Sequence, residues 1–158
     1  MLQVGIDSYI EIDDADQIVK KLFISNQEQR IFWNELSDND KETILISVTS
    51  QFDNDDMWYV GVKANKNQSL QFPRMDNGNY IDTPYSIKVG LILQGIRMFM
   101  SFMNDEQRLK NLGIKSFQDG SGAKIEFDDV DSYNKLSSTG IYLDIYNRYF
   151  KPYTIFGN

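Results

Sequence analysis

Apolar residues recur at helical spacing through the first third of the chain. Ile18, Val19, Leu22 and Phe23 form one such face, and Asp13-Asp14-Ala15-Asp16 precedes it. Carboxylates there suit the free N–H groups and the positive dipole end of a helix start. A short second helix is predicted over Gln27 to Leu36, with Ile31, Phe32 and Leu36 inward. Ser37-Asp38-Asn39-Asp40 resembles a capping box with Asp where Glu is usual. It opens a third helix whose inward face is Ile44, Leu45, Val48 and Phe52. From Asp53 to Tyr80 the pattern gives way to Asn, Asp, Gly and Gln. That stretch reads as a loop with extended pieces, anchored by Trp58-Tyr59 and Leu70-Gln71-Phe72-Pro73.

Thr83-Pro84 then supplies an N-cap and a proline suited to the first helical position. The helix it opens runs to about Met103 and is apolar on most sides, which places it at the centre of a domain or between subunits. A short helical turn ends at Gly113. Ala123, Ile125 and Phe127 alternate with Lys124 and Glu126, the period of a half-buried strand. With Ile114 to Phe117 and the turn Gln118-Asp119-Gly120-Ser121-Gly122, they predict a β-hairpin. A linker to about Ser138 leads to a last helix near Thr139 to Tyr149. The expected fold is mainly α: a helical bundle around a long central apolar helix, with a small β-hairpin. Residues 1–150 form the one domain, and 151–158 form an extended C-terminal tail.

Composition narrows the chemistry. The 158 residues contain no Cys and no His. That removes disulfides, thiolate nucleophiles and nearly every zinc site, together with the commonest acid–base group near neutral pH. The formal net charge is −7, and Lys and Arg occur singly or in pairs such as Lys20-Lys21. Non-specific nucleic-acid binding comes mostly from neutralising phosphates, so a chain without a visible basic patch is a poor candidate for gripping free nucleic acid. Anionic membranes are disfavoured for the same reason. The start, Met1-Leu2-Gln3-Val4-Gly5-Ile6-Asp7, has neither a basic nor an apolar leader region. The expectation is a protein made and used in a cytosol-like compartment.

No candidate site for catalysis survives inspection. Asp53-Asn54-Asp55-Asp56 has Met57 and Trp58 where an EF-hand loop needs an oxygen ligand and a glycine. Asp128-Asp129-Val130-Asp131 reads equally as a solvated loop. Among 23 acidic residues no facing pair is singled out for glycosidase-type chemistry. Phosphate loops, dinucleotide fingerprints and nucleophile elbows are missing from the sequence. No cofactor, metal or catalytic residue is assigned. The aromatic residues at the end are more informative. Tyr142, Tyr146 and Tyr149 share one helix face, and Phe150, Tyr153, Ile155 and Phe156 follow. Two readings stand side by side: the edge of the core, or a protein-binding surface rich in the residue type common at hot spots.

Several short motifs, taken in order, resemble small head–tail connector proteins of tailed phages, also termed adaptor or head-completion proteins. Related sequences often carry the label DnaT-like single-stranded DNA-binding protein. The motifs are Ser8-Tyr9-Ile10-Glu11-Ile12-Asp13-Asp14-Ala15-Asp16, then Trp33 before a capped helix. Asp40-Lys41, Leu45 and Asp53 lie along that helix, and Leu70-Gln71-Phe72-Pro73-Arg74 follows. Phe72 stands where such sequences usually have Trp. Pro84 before an apolar helix and Gly113-Ile114-Lys115-Ser116-Phe117 before the hairpin also fit.

The resemblance implies a virion protein of the neck, made in the host cytoplasm. It would form a ring, usually twelve-fold, beneath the portal protein. The ring would extend the DNA channel and meet a stopper or tail-completion protein, with DNA passing through unbound. The acidic balance suits such a channel, because negative walls repel phosphate. Truncation after Phe150 is then expected to leave a folded subunit that fails to join its neighbours. Two other functions remain open: a single-stranded DNA-binding protein, and a small carboxylate-dependent hydrolase.

Overall fold

The computed structural model describes residues 2–53, 58–103, 116–118, 124–126 and 140–155. Four α-helices carry most of this chain: α1 (Ile12–Leu22), α2 (Glu28–Glu35), α3 (Asp38–Phe52) and α4 (Tyr85–Met103). Strands β1 (Trp58–Tyr59), β2 (Val62–Lys63), β3 (Arg74–Asp76) and β4 (Asn79–Ile81) lie between α3 and α4, and β5 (Ser116–Gln118) and β6 (Lys124–Glu126) follow. A single turn, α5 (Leu143–Ile145), continues as a π-helical segment (Tyr146–Phe150) and a 3-10 turn (Lys151–Tyr153), and β7 (Thr154–Ile155) ends it. The fold is mainly α.

The helices form where their periodicity places them. Ser37 caps α3: its Oγ accepts from the Asp40 N–H at 3.2 Å and donates to the Asp40 carboxylate at 2.6 Å. Ile44, Leu45, Val48 and Phe52 are all buried along that helix. They face α4, where Ile87, Leu91, Ile92 and Ile96 are buried in turn. Gly95 brings α3 and α4 together, because a Cβ there would lie 2.6 Å from Ile44 Cγ2.

In α2 Phe32 and Leu36 pack partly buried against the core as expected, but Trp33 is the fully buried residue and Ile31 is exposed. The indole needs a partner for its N–H as well as apolar cover. Asp16 supplies one, so this residue braces α2 rather than capping α1. Helix α1 starts at Ile12 after Glu11, which makes no side-chain cap.

The middle of the chain holds an antiparallel sheet in the order β2-β3-β4, which hydrophobic alternation does not reveal. Its signal was the dipeptide Asn77-Gly78. Both residues have positive φ, 47° and 82°, as a type I′ hairpin turn requires. The Phe72–Pro73 peptide is cis. Strands β5 and β6 pair antiparallel with Phe117 opposite Ile125, where the sequence places a hairpin.

The stretch from Lys151, expected to be extended, first makes the 3-10 turn. Then β7 pairs antiparallel with β1, Tyr59 opposite Thr154. The last helix begins at Leu143, later than Thr139, and its i+5 register rather than an α-helical one carries Tyr146 to Phe150. The expected turn at Gly113, the hairpin turn at 119–122, the acidic runs at 54–56 and 128–131, the linker to Ser138 and Phe156 lie outside the described residues.

Candidate functional site

The family-like motifs converge on two buried polar networks. In the first, Tyr9 comes from the N-terminal segment, Asp53 from the end of α3, and Gln71-Phe72-Pro73-Arg74 from the approach to β3. The Tyr9 hydroxyl donates to Asp53 Oδ1 and accepts from the Phe72 N–H at 3.2 Å. Asp53 Oδ2 accepts from the Gln71 N–H at 2.9 Å. Arg74 donates to three backbone carbonyls, Val60 (2.7 Å), Gly61 (2.6 Å) and Gln71 (3.2 Å), and to Gln71 Oε1 (2.9 Å). Its guanidinium also lies 5.3 Å from the Tyr59 ring centre.

Burial governs the titration of these groups. It pushes the Asp53 carboxyl above the ordinary range, against the opposing pull of the Tyr9 and Gln71 hydrogen bonds and of Lys63 and Arg74. Burial, reinforced by the Asp53 charge, drives the Tyr9 phenol far above its usual value, so Tyr9 stays a proton donor. Desolvation lowers the Arg74 guanidinium from its usual value. A raised carboxyl beside a phenol can mark catalysis. Here the network's hydrogen bonds run to other side chains and to backbone groups of the same chain, which is what a structural brace requires.

The second network ties α1, α2 and α3. Trp33 Nε1 donates to Asp16 Oδ1 at 2.7 Å, and Lys41 Nζ reaches the same oxygen at 3.0 Å. Lys41 also sits 5.6 Å from the Trp33 ring centre. Burial works to raise the Asp16 carboxyl, but the bonds from Trp33 and Lys41 outweigh it and hold the group below its ordinary value. A carboxyl depressed in the fold contributes stability above the unfolded value, near 3.9, and loses it as pH falls through the folded value. The Asp16→Asn variant is therefore expected to be less stable than wild type at neutral pH, with the difference shrinking below about pH 4. Denaturant titrations at several pH values check this; a difference that stays constant with pH removes the ion pair from the account.

The aromatic residues singled out near the end divide. Tyr142, Tyr146 and Phe150 are buried, and Ile141 and Ile145 beside them also pack inward. Phe150 lies 4.7 Å from Phe52, and the Tyr153 ring meets Phe72 edge-on at 6.2 Å. The Tyr146 and Thr154 hydroxyls bond at 2.8 Å. Tyr149 is only partly buried, and Ile155 pairs its backbone with Trp58. Removing the residues after Phe150 thus strips Tyr153 and Thr154 from the core. Such a truncation is expected to lose about 2–4 kcal/mol of stability, measurable by urea denaturation, before any effect on assembly. An unchanged midpoint would show that these contacts carry no weight.

Two surfaces escaped the sequence reading. Beside α4, a groove of about 460 Å³ is lined by Phe23, Leu93, Ile96, Met100, Arg148 and Tyr149, among others. Arg97 borders it, bonded to both Asp144 oxygens at 2.9 and 3.1 Å and stacked 3.9 Å from the Tyr142 ring centre. On the small sheet, Val62, Met75 and Tyr80 stand in one register row, with Val62 and Tyr80 more than 60 % exposed. Nearby Trp58, expected as an anchor, is 66 % exposed. Lys63 beside this row is turned onto the Gln68 and Ser69 carbonyls, and Arg74 is buried beneath it.

Residues 2–89 match the family described as "Putative DnaT-like ssDNA binding protein". The chain belongs to that family. The match spans Tyr9, Asp16, Trp33, Lys41, Asp53 and Arg74, the residues of both buried networks, so the family region coincides with the braced part of the fold. No curated protein and no solved structure matches the chain. Among the described residues no cluster of acidic side chains could hold a metal ion, and no helix is long and apolar enough to cross a membrane.

Proposed function

We propose that the chain is a structural head–tail adaptor subunit of a tailed phage. In this reading it forms a dodecameric ring under the portal protein, extends the DNA channel, and offers a platform to the stopper or tail-completion protein in the virion neck. It performs no catalysis. Helix α4 serves as the central apolar helix of the bundle, in contact with α1, α2, α3 and the C-terminal helical segment. One observation carries the proposal: the motif residues are spent inside the fold. Tyr9, Trp33, Phe72 and Arg74 are all buried, and their polar atoms bond within the chain. The motif then preserves a shape, as a ring subunit needs, rather than presenting groups to a nucleic acid.

The single-stranded DNA reading has the family description in its favour. It calls for aromatic platforms within a positive groove. Lys63 beside the exposed row of Val62 and Tyr80 is turned onto backbone carbonyls, and in the α4 groove Arg97 is paired with Asp144, which leaves Arg148 as a single positive charge there rather than a positive groove. Fluorescence anisotropy with a labelled oligothymidine at low salt separates the two. The adaptor reading expects no binding at micromolar protein and ring-shaped complexes with the cognate portal. Salt-dependent oligonucleotide binding without portal binding would reverse the assignment.

A further inference from the structure

The two ends of α1 carry complementary surfaces. The N-terminal segment ahead of the helix folds on itself: the Gly5 N–H donates to the Ser8 carbonyl at 2.8 Å, and the Ile6 and Asp7 N–H groups donate to the Gln3 carbonyl. Gln3 N–H in turn donates to the Asp7 carboxylate at 3.1 Å. Gly5 takes φ of 82°, which glycine adopts without strain. The result is a preorganised knob with Val4 and Ile6 about half exposed at its tip, 48 % and 53 %. Acidic residues surround it: Asp7 within the knob, Glu11 and Asp13 at the start of α1.

The other end of α1 runs into the groove beside α4. Phe23, immediately after α1, forms one wall; Leu93, Ile96 and Met100 form the floor. Three charged side chains line the groove: Arg97 and Asp144, paired with each other, and Arg148, exposed and left as its net positive charge. Eleven residues of α-helix separate the surfaces, about 16 Å at 1.5 Å per residue. A knob fixed at one end of the helix cannot reach the groove at the other end of the same chain. It can reach the groove of a neighbour.

Building on the ring-subunit reading, we propose that the groove beside α4 receives the Val4–Ile6 knob of a second copy of this chain, in a head-to-tail contact. Val4 and Ile6 fill the apolar floor, and Glu11 and Asp13 of the incoming copy face Arg148 of the receiving one. Such a contact uses different patches on the two copies, so it repeats from subunit to subunit and closes into a ring where the rotation permits. The knob is already ordered, which lowers the entropic cost of docking it.

The test is charge reversal with rescue, read as mass against concentration by sedimentation at low salt. Wild type is expected to associate, and added salt weakens the association. Arg148→Glu and Glu11→Lys each place like charges across the contact, and each is expected to weaken self-association about tenfold or more. Both positions are exposed, and a wild-type denaturation midpoint in each variant excludes a folding defect. An equimolar mixture of the two variants restores opposite charges at every contact between unlike copies and is expected to recover association in an alternating assembly. Ile6→Glu removes the apolar anchor and is not rescued by either partner. Self-association untouched by these reversals, or an inactive mixture, overturns this interface while leaving a ring built on other contacts. A wild-type chain that stays monomeric throughout also overturns it, yet leaves an adaptor that assembles only on its portal.

Discussion

The Asp53→Ala variant is expected to lose about 3–5 kcal/mol of folding stability, because it leaves two buried donors without acceptors at about 1–3 kcal/mol each. Those donors are the Tyr9 hydroxyl and the Gln71 N–H. The carboxylate joins the N-terminal segment, the end of α3 and the approach to β3, so its loss uncouples three parts of the chain at once. Tyr9→Phe removes one donor but orphans the Phe72 N–H, and about 2–3 kcal/mol is expected for it. The double variant should cost clearly less than the sum of the two singles, since each removes a partner of the other. Urea denaturation of the four proteins supplies the cycle; strict additivity would show that Tyr9 and Asp53 act independently.

The same carboxyl gives a pH signature opposite to that of Asp16. A carboxyl raised by burial holds its proton longer in the fold than in the unfolded chain. Stability from this group is present at low pH and declines as pH rises from about 3.9 through the folded value. Asn at position 53 has no such titration. The Asp53→Asn variant therefore gains on wild type as pH rises from acid toward neutrality, while Asp16→Asn falls further behind. Opposite slopes from two aspartates in one domain separate a residue that is mainly desolvated from one that is mainly paired.

How much of this was legible in the sequence depends on the range of the interaction. Helix α3 could be read almost completely, since its cap lies within one turn and its inward face repeats every three or four residues. Helix α2 has only eight residues, and Ile31, Phe32 and Trp33 are consecutive, so periodicity could not choose among them. The choice fell on Trp33 because Asp16, 17 positions earlier, accepts from its indole. The sheet β2-β3-β4 has strands of two or three residues, too short for alternation to register, and only Asn77-Gly78 marks it. Resemblance to a family picked out Tyr9, Asp53 and Arg74 by position. That they bond one another through the core is a fact of tertiary structure that no spacing along the chain contains.

Phe150 decides between the two readings of the aromatic C-terminal stretch. It is fully buried, and its ring lies against Phe52 on one side and α4 on the other. Helix α4 admits it only because position 90 is glycine: a Cβ there would lie 2.5 Å from Phe150 Cε1 and 2.8 Å from Tyr149 Cβ. Phe150→Ala is expected to cost about 3–5 kcal/mol, the usual range for emptying a buried aromatic site. Gly90→Val should approach the same core from the opposite side, costing about 1–3 kcal/mol by overpacking. Both effects belong to the monomer and are read from its thermal midpoint at low protein concentration. Substitution of Arg148, exposed two residues earlier on the groove side, should instead leave that midpoint near wild type. If Phe150→Ala kept the monomer intact and abolished only assembly, Phe150 would be an interface residue and its place against Gly90 would be wrong. A monomer that melts early places the binding surface on the outer residues of the segment and leaves the inner ones to hold it against α4.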